Sequence, residues 1–142
     1  MSEAPEPTED PLAAVRTRVR GDLHVVESDR GQRIVHEPTD TELVSACRFE
    51  PTRWIDRRSR FGNPFTLVED GGEIESRERS VALYEGWFRG NLVENGDFAE
   101  AVQELYGERL GCWCLPRQCH GEVILEHLAA AYDSSQTFDE TV

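Results

Sequence analysis

Lysine is missing from all 142 residues, so each of the fifteen basic side chains is arginine, set against 28 acidic residues for a net charge of -13. A chain this acidic carries no diffuse positive field with which to hold duplex DNA or an anionic membrane. Long apolar runs are missing too, and no stretch approaches the ~18 consecutive apolar residues of a membrane span. Met1 to Asp10 is acidic and proline-bearing with no apolar centre, which excludes a signal peptide or anchor there. These absences predict a soluble, cytoplasmic protein. Cysteine is scarce, with only four residues, and in a reducing compartment clustered thiols point to metal binding or catalysis before a disulfide framework.

Acid excess without lysine suits concentrated salt, where self-repulsion is screened and carboxylates keep the surface hydrated. The composition therefore predicts a haloarchaeon or one of its viruses as the source, with an acidic protein of a GC-rich mesophile as the alternative. In molar salt the screening length falls to about 3 Å, so any phosphate must be held by direct contact.

The length and the 38% hydrophobic content allow one domain. Residues 1–11 and 133–142 read as disordered tails around a domain at 12–132. His24–Ser28 and Gln32–His36 flank Asp29-Arg30-Gly31 as a hairpin. Thr41 to Cys47 fits a short helix or a strand. Val81, Tyr84 and Phe88 recur at helical spacing between Ser76 and Leu92, which predicts an amphipathic helix. Asp97 reads as the N-cap of a second helix that ends at Gly107. A strand over Arg109–Cys114, a loop and a last helix from about His120 to Ala131 complete the pattern of an α/β fold, a short central sheet packed by helices.

Chemistry concentrates in Cys112-Trp113-Cys114-Leu115-Pro116-Arg117-Gln118-Cys119-His120. Side chains two apart share a face of a strand, so Cys112 and Cys114 aim one way and Trp113 the other. Cys119 and His120 fall at the start of the last helix, where exposed N–H groups favour a thiolate. Three readings stand. One is a zinc site of Cys112, Cys114, Cys119 and either His120 or another histidine. If Cys119 and His120 are both helical they diverge by about 100°, leaving three ligands and the open position of a catalytic site. The second is a metal-free nucleophile, Cys119, with His120 or His127 as acid or base. The third packs the thiols as inert hydrophobes. Glu122 is a candidate proton carrier beside the cluster, or simply an acid complementing the helix dipole. Cys47 reads as a small buried residue, and Trp54 as a core one, with stacking on a base as its alternative.

Arg48, Arg53, Arg57, Arg58 and Arg60 are offset only by Glu50 and Asp56, a local balance of +3. Such an island suggests an anion pocket in which guanidinium forks grip phosphate or carboxylate. Surface ion pairs are the alternative. Phe61-Gly62-Asn63-Pro64-Phe65 follows, with Asn63 biased away from helix and Gly62 permitting a tight turn.

Arg60 to Phe65, with Leu110-Gly-Cys-Trp-Cys-Leu-Pro-x-x-Cys-His-Gly-Glu-Val-Ile-Leu about fifty residues later, resembles the DUF4326 family over roughly residues 48–130. The resemblance implies a small α/β domain in which the two motifs meet in one site, here Arg60, Gly62, Asn63, Pro64, Cys112, Cys114, Cys119 and His120. It also implies a link, in some relatives, to viral DNA modification with deazaguanine-type bases.

The sequence thus predicts a small enzyme acting on a nucleotide or nucleobase. Arg53, Arg57, Arg58, Arg60, Gly62, Asn63 and Pro64 form the binding side; Cys114, Cys119, His120 and Glu122 form the reactive side. Zinc base deaminases are similar in ligand type only, because their His-x-Glu and Pro-Cys-x-x-Cys pattern is absent. The alternative is a zinc-stabilised module that docks another protein. Duplex DNA binding by the chain alone is disfavoured.

Overall fold

The turn signal at Asp29-Arg30 closes a hairpin between β1 (Leu23–Ser28) and β2 (Gly31–His36), with Gly31 at φ +136° absorbing the reversal. The computed structural model describes residues 23–115 and 117–141, so the tail expected over residues 1–11 lies outside the described residues. Thr41–Ser45 resolves as a strand, β3, antiparallel to β2. Its buried Leu43 and Val44 fill both faces of a central strand. Two further strands, β4 (Arg53–Trp54) and β5 (Arg109–Cys112), join in parallel. One mixed sheet results, in the order β1-β2-β3-β5-β4.

Helix α1 (Arg77–Glu94) starts at Ser76, whose hydroxyl accepts the Arg79 N–H, and buries Val81, Tyr84 and Phe88 as their spacing predicts. Helix α2 (Gly96–Gln103) is capped by Asn95, not by Asp97. Asn95 ends α1 and its Oδ1 accepts the Phe98 N–H, so the second helix begins two residues early. Helix α3 (Gly121–Thr141) runs ten residues past Ala131, through the stretch expected as a tail. That stretch is polar but holds neither glycine nor proline, so nothing in it stops a helix already under way.

The three helices among the described residues share one core with the sheet: Ile34, Leu43 and Leu110 from the strands meet Tyr84, Phe88, Phe98, Val102, Ile124 and Leu128. The result is a mixed α/β domain. On the other side of the sheet Pro51 lies directly on Gly111, and the buried Phe49 ring is flanked by the guanidinium groups of Arg30, Arg33 and Arg109. No helix among the described residues is long and apolar enough to cross a membrane. The parallel strands β3, β5 and β4 end along one edge, and the chemistry-bearing loops leave from that edge.

Candidate functional site

Strand β5 ends at Cys112, two residues earlier than expected, and places that side chain against the core at 1% exposure. The chain then turns, with the Arg117 N–H donating to the Cys114 carbonyl, and returns to the start of α3. There the Glu122 carboxylate accepts the Cys119 N–H at 3.1 Å, and the Gly121 N–H donates to the Cys119 sulfur at 3.3 Å. Glu122 is thus a buried cap that fixes Cys119; it does not line the cavity described below. Gly121 allows this approach, because a Cβ there would meet Leu43 Cδ1 at 2.5 Å.

The sulfurs of Cys112, Cys114 and Cys119 all lie within 4.8 Å of one another, and the Cys112 and Cys119 sulfurs are 2.7 Å apart. All four cysteines are free thiols. Three close cysteines of this kind could hold a metal ion. Cys47 stands apart and is exposed, because β3 stops at Ser45 and the chain swings outward.

His120 completes the cluster. Its Nε2 is 2.6 Å from the Ile55 carbonyl, which can only accept, so Nε2 carries the proton. In the neutral ring, Nδ1 then presents its lone pair toward the sulfurs, 3.9 Å from that of Cys119. The divergence expected between Cys119 and His120 does not arise, because α3 begins at Gly121 and both residues precede it.

The three thiols share their protons unequally. Hydrogen bonds from Cys112 and Cys119 hold Cys114 far below the ordinary thiol range. Donating to Cys114 pushes Cys112 up to about 12, and burial pushes Cys119 well up. The thiol expected to be activated, Cys119, is fully buried and its pKa is raised, whereas the hydrogen bonds within the cluster favour the anion at partly buried Cys114.

Cys112, Cys114 and His120 open on a cavity of about 660 Å³ whose other walls include Arg57, Arg58, Arg77, Arg117, Asn63, Phe65 and Trp113. Two of the expected arginines are elsewhere. Arg53, on β4, lies 3.9 Å from both Glu104 and Glu108, and Arg60 lies over the Phe98 ring. Gly62 and the exposed Pro64 do not line the cavity either. Gly62 instead lets two backbone segments touch, since a Cβ would come within 2.5 Å of the Asp56 carbonyl and the Arg57 Cα. Asn63 spends its amide on the turn, donating to Ser80 Oγ and accepting the Phe65 N–H. Ser80 and the buried Tyr84 bind the Phe65 and Phe61 carbonyls, so α1 holds the turn rigid.

Arg77, Arg117, Asp56 and Trp113 escaped the sequence reading. Arg117 lies inside the cysteine loop and could have been found from that position; nothing local marks Arg77. Trp54 is no core residue: at 38% exposure it stacks on Trp113, itself 53% exposed, with ring centroids 5.5 Å apart. Arg58 lies over the Trp54 ring at 4.4 Å. Asp56 ties this stack together, accepting from Trp113 Nε1 at 3.1 Å and from the Arg58 guanidinium at 2.8 Å.

A family model described as a domain of unknown function (DUF4326) matches residues 44–130, more than half of the chain, beginning within β3 and spanning both site motifs. An uncharacterized 12.4 kDa protein in the nrdA-td intergenic region of Enterobacteria phage T4 is 36% identical over 55 residues, which cover 38% of this chain and 50% of that protein. The chain thus spans about half the length of the curated relative it matches. No solved structure matches it.

Proposed function

Since the chain belongs to the DUF4326 family, we propose that it is a small enzyme of nucleotide or nucleobase modification, with deazaguanine-type viral DNA modification as one setting for it. The observation that carries this reading is the single cavity on which the sulfur cluster and the arginines both open. Guanidinium groups grip an anionic end of the substrate, and the Gly-Asn-Pro-Phe turn, held by α1, shapes the wall opposite. The reactive side is Cys112, Cys114, Cys119 and His120.

Zinc is the ion these four residues would hold. Thiolates with a neutral imidazole are its preferred donors, and the Ile55 carbonyl on Nε2 is the outer partner that fixes a ligating histidine. Three sulfurs within 4.8 Å are close enough to share an ion whose bonds of about 2.3 Å give sulfur–sulfur edges of ~3.8 Å, with the Cys112–Cys119 pair, 2.7 Å apart, opening to admit it. Zinc supplies Lewis acidity at the cavity wall. Without it, Cys114 is the nucleophile, its anion stabilised by two neighbouring thiols. Four free cysteines accord with a reducing cytoplasm, and the lysine-free, acid-rich chain with a haloarchaeal or viral host.

A second reading, a zinc-closed module that docks another protein, draws support from one observation: Cys112, Cys119 and His120 are almost wholly buried, as ligands of a structural site are. Elemental analysis of protein purified without chelator, combined with Cys114→Ser, separates the possibilities. One zinc per chain and a folded variant with weakened metal affinity are expected for the enzyme. A variant that unfolds would favour the module. No metal, with rapid alkylation of Cys114, would favour the thiolate.

A further inference from the structure

We infer that the cavity binds a nucleoside monophosphate, with its base stacked on Trp113 and its phosphate held by Arg57, Arg77 and Arg117. The inference rests on the nucleotide reading of this site and gives it a ligand and an orientation.

The first observation is an incomplete stack. Trp54 carries the Arg58 guanidinium over its ring and stacks on Trp113, and Trp113 meets no ring other than that of Trp54 among the described residues. Trp113 lines the cavity while more than half exposed, an unusual state for the largest apolar side chain. Its plane is fixed by the Nε1–H bond to Asp56, a carboxylate that is itself 8% exposed. A rigid, exposed indole with one free face is what a flat ring requires of a binding surface.

The second observation is charge. Four arginines and two aspartates, Asp56 and Asp70, line the cavity, a local balance of +2 in a chain of -13. Arg58 is committed to Asp56. Arg57, Arg77 and Arg117 have no carboxylate within 4.0 Å among the described residues, and only Arg57 Nε is spent, on the Asn63 carbonyl. Paired N–H donors on an uncommitted guanidinium match phosphate oxygens, and the contact is direct enough to persist in salt. A smaller adjoining cavity of about 350 Å³ shares Arg77 and Arg117 and adds Glu69 and Glu75. Those carboxylates oppose any extension of the phosphate chain beyond the arginines. The main cavity lies within the ~300–1,000 Å³ range of small-molecule sites.

Isothermal titration calorimetry on the full chain tests this with 5′-monophosphates, the matching nucleosides, triphosphates and a short single-stranded oligonucleotide. The monophosphate is expected to bind at least about tenfold more tightly than its nucleoside. The double variant Arg77→Ala/Arg117→Ala should abolish that preference and leave nucleoside affinity unchanged. Trp113→Leu should weaken monophosphate and nucleoside alike by about tenfold or more, and Trp113→Phe should recover most of the loss. Equal affinity for monophosphate and nucleoside, a harmless Trp113→Leu, tighter binding of triphosphate or oligonucleotide, or no binding at millimolar ligand would each overturn the inference. A monophosphate that binds as described but is recovered unchanged would sink the enzyme reading and leave the ligand assignment standing.

Discussion

Asp56 shows how one side chain sets the geometry of several. It lies just beyond β4, and it accepts from the Arg58 backbone and guanidinium and from Trp113. Burial alone would raise its pKa, but the hydrogen bonds from Arg58 and Trp113, with the Arg58 charge, outweigh burial and hold the carboxyl below its ordinary value. Asp56→Asn keeps the shape and removes the charge, and is expected to lower stability by about 1–3 kcal/mol at pH 7. The sign of the pH dependence follows from the depressed value. The contribution is fully present above the unfolded pKa of ~3.9 and is lost as pH falls through the folded one. Urea unfolding of both proteins should therefore give a gap that is constant from pH 7 to pH 5 and narrows below pH 4. A gap that persists undiminished at pH 2 would mean that Asp56 acts through shape alone.

At the scale of elements, the site depends on the loop after β4 folding back on itself, and Gly62 is where its two limbs touch. An alanine Cβ there would press within 2.5 Å of backbone atoms of Asp56 and Arg57, which cannot rotate away as a side chain can. Gly62→Ala is expected to cost about 2–4 kcal/mol in urea unfolding and to weaken any ligand held by Arg57. A neutral variant would show that the turn has room to shift. The same elements mark what the sequence could disclose. Periodicity at Val81, Tyr84 and Phe88 and the turn at Asp29-Arg30 were legible because local physics decides them. The cysteine loop was legible as a cluster for the same reason, since its thiols are close in sequence. Ambiguity over Thr41–Cys47 ended only when β2 and β5 flanked that segment, a tertiary fact. The ends were the weakest part: Asn95 displaced Asp97 as cap, and α3 outran its apolar stripe. Arginine spacing misled for Arg53 and Arg60, because a dense run of one charge says nothing of which members face the same way. Arg77 reaches the cavity only because α1 packs beside the loop.

At the scale of the whole molecule, the 28 acidic residues exceed the fifteen arginines across one small domain, and ion pairs, each of which uses one charge of either sign, leave that excess unchanged. Arg33 and Arg109 converge on Glu42 across the sheet, whereas pairs such as Arg89 with Glu85 lie on the surface, where each contributes little. The dominant electrostatic effect on the fold is then net self-repulsion, which acts over several ångströms and is screened by salt. Raising KCl from about 0.05 M to 1 M shortens the screening length from roughly 14 Å to 3 Å. The urea midpoint should rise steadily over that range, since repulsion between carboxylates weakens faster than the short contacts that hold the core. Phosphate held by guanidinium forks should respond less steeply than a diffuse contact would, because its donors act within hydrogen-bond distance. Measuring urea midpoints and monophosphate affinity over one KCl series tests both expectations. A midpoint that is flat or falling with salt would show that the carboxylates are locally compensated and that the acidic composition confers no adaptation to brine.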